Sequence, residues 1–177
     1  MDFNWSDEQI AITDLAEEVL TQSLDDSAYD DEGFAAKAWA ELARTELLGV
    51  GTEAEFGGSD MGLMALLLLQ RQAACHAAPL PVLESLVMAA PLLQACGDAA
   101  LKATWLADLA TGQRILTCAV YELGGSVFDG PRCAAQVEGD QWRISGEKTA
   151  VAFTAKAQGY IVLAATPAGM GLFLVDA

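Results

Sequence analysis

Few residues in this chain are typed and spaced for chemistry of their own. His76 is the sole histidine. A lone histidine at a helix end, with no nucleophile or carboxylate at a readable spacing, serves structure far more often than catalysis. Cys75, Cys96, Cys118 and Cys133 are widely separated, form no C-x-x-C pair and sit among Ala, Val or Leu. They read as free, buried thiols rather than metal ligands. Asp25, Asp26, Asp30, Asp31 and Glu32 lack the alternating ligand order and the glycine of a calcium loop, so they read as a solvated connection. Gly57-Gly58 and Gly124-Gly125 are too short for a dinucleotide fingerprint and read as turns. The sequence contains no G-x-S-x-G elbow, phosphate-binding P-loop or zinc-ligand spacing. No metal site is expected, and no catalytic residue is assigned.

The elements around these residues fall into two groups. Ser6 and Gln9 form a capping box, with Trp5 and Ile10 placed as a hydrophobic staple. Ile12, Leu15, Ala16, Val19 and Leu20 then share one helical face. A second helix is predicted over about Phe34–Thr45. A glycine-punctuated loop follows over Leu47–Asp60, then a third helix over about Gly62–His76 that is apolar nearly all round. That pattern suits a helix enclosed by others or facing a partner subunit. Pro79 and Pro81 separate it from a fourth, about Pro81–Cys96, in which Pro91 predicts a kink or break. A fifth runs from about Asp98 to Ala110. After Gly112 the grammar changes to short β-rich runs at Ile115–Tyr121, Cys133–Val137, Gln141–Ile144, Thr149–Phe153, Tyr160–Ala165 and Leu172–Val175, with turn residues between them. Helices first and strands afterwards predict a segregated α+β architecture: a helical domain over 1–112 and an incomplete antiparallel β-domain over 113–177.

The 177 residues carry 53% hydrophobic side chains and a formal net charge of −16. Such a chain packs a core, and its charge disfavours nucleic acid and anionic lipid as partners. The longest apolar stretches are broken by Arg71, Glu84 and Asp98, so no membrane span is expected. Met1-Asp2-Phe3-Asn4-Trp5 lacks the basic flank and apolar run of a signal peptide, and with four free thiols a cytoplasmic location is expected.

Met1-Asp2-Phe3 with Ser6-Asp7-Glu8-Gln9 resembles the opening of the acyl-CoA dehydrogenase family, and further fragments follow in order. Leu47-Leu48-Gly49-Val50 leading to Glu55-Phe56-Gly57-Gly58-Ser59 resembles its "P-E-E-F-G-G-S" loop. Lys102, Trp105-Leu106, Leu109-Ala110 and Gly112-Gln113 resemble "K-x-x-x-L-P-x-L-A-x-G-E". Ala119-Val120-Tyr121-Glu122 stands where "A-x-T-E-P" belongs, and Gln141 through Lys148 resembles "W-x-L-N-G-x-K". Tyr160–Ala165 and Leu172–Val175 are similar to the next two strands.

The resemblance implies a flavoprotein that oxidises the α,β carbon–carbon bond of an acyl-CoA thioester, with FAD accepting the hydride. Family members carry an N-terminal helical domain, a central β-domain and a C-terminal bundle holding the catalytic carboxylate. This chain resembles the first and part of the second, so no glutamate here is given that role. The resemblance assigns flavin-facing positions to Val120, Tyr121, Glu122 and Ser126, and to Ala150 and Ala152 after Lys148. It also implies homo- or hetero-oligomers with similar subunits. Three of those positions depart from the family pattern. Tyr121 stands for a threonine, Ala150 for an aromatic ring and Ala152 for a hydroxyl, so FAD is expected to bind weakly or not at all. The expected function is acyl-CoA dehydrogenation as part of a flavoprotein. The alternatives are a non-catalytic, flavin-site-degenerate subunit of a hetero-oligomer, and a helical interaction module with a β appendage.

Overall fold

A computed structural model describes residues 4–25, 27–125 and 129–177. They divide into two compact units that part between Arg114 and Ile115.

The first unit is helical. Helix α1, Asp7–Ser23, begins at the Ser6 cap: Gln9 N–H donates to Ser6 Oγ at 3.3 Å, and Ser6 N–H donates to Gln9 Oε1 at 3.0 Å. Ile12, Ala16, Val19 and Leu20 are buried, whereas Leu15, Trp5 and Ile10 stand open to solvent. Helix α2 spans Ala36–Arg44 and buries Ala38, Trp39 and Leu42. The predicted start at Phe34 is two residues early: the Phe34 carbonyl accepts from Asp30 N–H at 3.0 Å instead of entering the helix, and Phe34 N–H donates to Asp30 Oδ1 at 2.9 Å. That carboxylate also accepts from Glu32 N–H, while Asp25 accepts from Ser27 and from Lys37 Nζ at 2.7 Å. Asp25 and Asp30 therefore build turns, as Asp side chains do by bonding the backbone two residues on.

The loop from Leu47 to Met61 folds back on itself. Ser59, Asp60 and Met61 N–H groups donate to the carbonyls of Gly49, Thr52 and Val50. The return passes so close that a side chain at Gly58 would overlap the Thr52 carbonyl, which makes this the one position of the Gly57-Gly58 pair where glycine is required for space. Helix α3, Gly62–Cys75, packs on α1 and buries Ala65, Leu66, Leu68, Leu69, Gln72 and Ala73, while Leu63, Met64 and Leu67 remain exposed. His76 bridges α3 to α1: its ring nitrogens lie 3.0 Å from Gln72 O and 3.2 Å from Thr21 Oγ1.

Pro91 breaks the next helix in a specific way. Residues Val82–Ala89 form a π-helix, and α4, Ala90–Cys96, follows with Pro91 in its first turn. Proline clashes with the carbonyl four residues back in an α-helix. The wider ring of the π form, in which Ala90 N–H reaches Ser85 O, accommodates that region. Helix α5, Ala99–Ala110, is capped by Asp98, whose Oδ1 accepts from Leu101 N–H at 2.8 Å. Trp105, Leu106 and Leu109 are buried in it.

Glu84, on the π-helix, is half-buried, and burial pushes its carboxyl pKa up. A raised acid pKa means that ionisation costs stability above the group's ordinary range and costs nothing below it. Glu84→Gln is therefore expected to raise the melting temperature at neutral pH, with the gain shrinking as pH falls toward the ordinary glutamate range and absent below it. Equal melting curves at pH 7 count against this.

The second unit is a five-stranded sheet: β1 Leu116–Ala119, β2 Ala134–Glu138, β3 Gln141–Ser145, β4 Gly159–Thr166 and β5 Gly169–Asp176. Strand β5 pairs antiparallel with β4 from Gly159↔Asp176 to Thr166↔Gly169. On the other edge of β4, β1 pairs in parallel from Leu116↔Gly159 to Ala119↔Val162, and β2 joins in parallel at Ala134↔Ala165. Strands β2 and β3 form an antiparallel hairpin. The segregated α+β architecture holds, but the sheet is mixed rather than antiparallel, because β1 and β2 both reach β4 by long crossovers instead of hairpins. The expected strand at Thr149–Phe153 is a loop and turn. A small core of Cys133, Ala135 and Ala164, with Ile144 and Phe173 against it, lies on one face. Trp142 tilts against Phe173 with ring centroids 5.3 Å apart.

Candidate functional site

The expected ligand-facing positions lie on two segments of the second unit. One, Val120–Gly125, leaves the end of β1. The other, Gly146–Phe153, leaves the end of β3. The chain enters this second segment at Gly146, whose φ of 144° and close approach to Cys133 exclude a side chain. A Cβ there would lie 2.6 Å from Cys133 Sγ and 2.8 Å from its Cα.

The two segments are stitched together. Thr149 N–H donates to Tyr121 O at 2.9 Å. Lys148 Nζ donates to Glu122 Oε1 at 2.6 Å, with Lys148 8% and Glu122 9% exposed at the side chain. The same Oε1 accepts from Cys133 N–H at 2.9 Å, and Oε2 accepts from Arg132 N–H at 2.7 Å. Arg132 in turn donates its guanidinium to Leu123 O at 3.2 Å and Gly124 O at 2.8 Å. On the far side, Thr117 Oγ1 donates to Ala152 O at 3.0 Å. A cavity of about 210 Å³ opens here, lined by Glu122, Leu123, Arg132, Cys133, Gly146, Glu147 and Thr149. A narrower cleft beside it is lined by Val120, Tyr121, Gly125 and Leu163 among others.

Thus Val120, Tyr121, Glu122, Ala150 and Ala152 come together on adjoining segments, and Ser126 lies outside the described residues. The Glu122 side chain is turned into the protein, and both its oxygens are engaged by donors of this chain. The Lys148 ammonium, followed by the Cys133 and Arg132 amides, holds its pKa down to about 2. The sign follows from linkage: with the pKa depressed below the ordinary 4.5, the stabilisation is complete above about pH 4.5 and is lost as pH falls toward about 2. A Glu122 carboxyl carbon resonance that titrates near 4.5 instead of near 2 overturns this. Ala150 and Phe153 both take left-handed backbone conformations, at φ 53° and 54°.

Sequence reasoning missed Lys148 as Glu122's partner, since the two are 26 residues apart, and missed Arg132 altogether. Two of the four cysteines also differ from expectation: none is in a disulfide, Cys118 and Cys133 are buried, but Cys75 and Cys96, at helix ends, are exposed. Among the described residues no cluster of His, Cys, Asp and Glu is arranged to hold a metal, and no helix is long and apolar enough to cross a membrane.

The sequence pattern described as acyl-CoA dehydrogenase, N-terminal domain, matches residues 6–113. The chain belongs to the acyl-CoA dehydrogenase family. Acyl-CoA dehydrogenase FadE27 of Mycobacterium tuberculosis (strain ATCC 25618 / H37Rv) is 31% identical over 147 residues, which are 83% of this chain and 38% of that protein. A solved structure described as the Tcur3481-Tcur3483 steroid ACAD G363A variant superposes with a TM-score of 0.89 at 34% identity, over 96% of this chain and 48% of that one. One of the ChsE4-ChsE5 complex from Mycobacterium tuberculosis gives 0.90 at 25% identity, over 100% and 49%. The chain therefore spans about half the length, or less, of the acyl-CoA dehydrogenase relatives it matches.

Proposed function

We propose that this chain is part of the flavin-poor subunit of a two-component acyl-CoA dehydrogenase, and that it pairs with a second subunit of the same fold that holds FAD and carries the catalytic base. The observation behind this reading is the state of the expected flavin edge. Ala150 offers no ring to stack and Ala152 no hydroxyl, while the Ala152 carbonyl is taken by Thr117 and the Glu122 carboxylate by Lys148 and two amides. These residues do not fit a flavin ring. Two matched structures are described by a pair of protein names, which supports a heteromer. The word steroid in one description supports a steroid-derived acyl-CoA thioester as the substrate of the assembled enzyme. The free thiols agree with assembly in a reducing cytoplasm.

An ordinary flavoenzyme is the second reading, favoured by family membership alone. Purification of the parent protein with and without a co-expressed acyl-CoA dehydrogenase-like partner separates the two. The proposed role requires a colourless protein alone and a yellow complex that acyl-CoA bleaches. A yellow protein purified alone, bleached by acyl-CoA, returns the ordinary flavoenzyme.

A further inference from the structure

The geometry points to Lys148 and Glu122 as a positioning pair. Their buried ion pair fixes the Gly146–Phe153 segment against Tyr121–Gly125, and so holds Ala150 in its left-handed conformation. An alanine at φ 53° is disfavoured and persists only where its surroundings over-determine it. The surroundings here do so from both sides. Immediately before Ala150, Thr149 N–H is bonded to Tyr121 O, next to the Lys148–Glu122 pair. Two residues after it, Ala152 O is bonded to Thr117 on β1.

Of these restraints the ion pair is the one built from charged side chains. Neither side chain is a tenth exposed, so neither is available to solubilise the surface. A buried ion pair contributes little net stability against an apolar replacement, but breaking it leaves a buried charge without a partner. Its use is in selecting one arrangement of the two segments over others. Glu122 adds the amides of Arg132 and Cys133, so a single carboxylate ties three chain segments to one point. The Arg132 guanidinium acts elsewhere and holds the Leu123 and Gly124 carbonyls.

This positioning role needs neither flavin nor a partner subunit, so it stands or falls apart from the subunit role proposed above. Amide hydrogen exchange of the chain, residue by residue, tests it. In Lys148→Met the Thr149 amide is expected to exchange at least about tenfold faster, the scale set by losing one hydrogen bond to a charged group. The Ala150 backbone coupling is expected to lose its positive-φ signature. Amides of β4 and β5 should hold their rates, which a general loss of stability would not allow. Lys148→Arg, which keeps the cation, is expected to restore protection, and Arg132→Met to leave Thr149 as it is. Should Lys148→Met fail to fold, Glu122→Gln supplies the same comparison. Unchanged Thr149 exchange, or loss spread evenly over the sheet, overturns the positioning role whatever flavin does.

Discussion

FAD titrated into this chain by itself is expected to bind no more tightly than about millimolar, close to −4 kcal/mol. Association costs roughly 4–15 kcal/mol in lost freedom before any contact is counted. Against that, the edge formed by Val120–Gly125 and Gly146–Phe153 offers backbone hydrogen bonds worth about 0.5–1.5 kcal/mol each. Ala150 brings no ring for the aromatic stack that would add roughly 0.5–1.5 kcal/mol beyond burial. The Glu122 oxygens are already engaged, so they bring nothing new to a ligand. Restoring a ring by Ala150→Trp together with Ala152→Thr is not expected to rescue the chain alone, because a bulky residue at φ 53° is strained. Flavin fluorescence on titration reads both cases. Micromolar affinity of the unaltered chain contradicts the degenerate edge.

Trp39→Ala is expected to destabilise the helical unit by about 3–5 kcal/mol, the usual range for emptying a buried aromatic site. Trp39 is 5% exposed and packs beside Phe34 with ring centroids 6.3 Å apart. Its Nε1–H donates at 3.0 Å to the carbonyl of Gly112, just past the end of α5. One side chain thus fastens α2 to the chain 73 residues later. Trp39→Phe keeps most of the packing and removes the donor. It should cost less, about 1–3 kcal/mol for a partly buried carbonyl left without its bond. Denaturant unfolding of both variants makes the check. Equal losses for the two would mean the hydrogen bond dominates, and a loss under about 1 kcal/mol for Trp39→Ala would mean the site is not part of the cooperative core.

Helices were legible because their signals are local. Ser6 with Gln9, the apolar spacing of α1 and the prolines at 79 and 81 all act within a few residues. The break at Pro91 was legible for the same reason, but its π form was not, since the residues from Val82 on carry no sign of a wider turn. Strand identity was legible in part. Thr149–Phe153 has strand-like residues and becomes a loop because bonds from Tyr121 and Thr117 hold it, neither nearby in sequence. Parallel pairing of β1 and β2 with β4 was hidden in the same way, since hydrophobic alternation carries no information on direction. At the site, family resemblance pointed to two segments that the fold does bring side by side. It placed Glu122 on one of them, and nothing local shows that Lys148, Arg132 and Cys133 turn its carboxylate inward.

The crossover that joins β1 to β4 has a consequence for biosynthesis. Leu116 finds its partner Gly159 only after 43 more residues have been made. On a ribosome adding about 5–20 residues per second, β1 waits for seconds while the helical unit, made entirely before it, is free to fold. During that wait the buried run Leu116-Thr117-Cys118-Ala119 is an unpaired apolar strand. Its hazard is the nascent chain's encounter with other strands, and what ends the exposure is the arrival of β4.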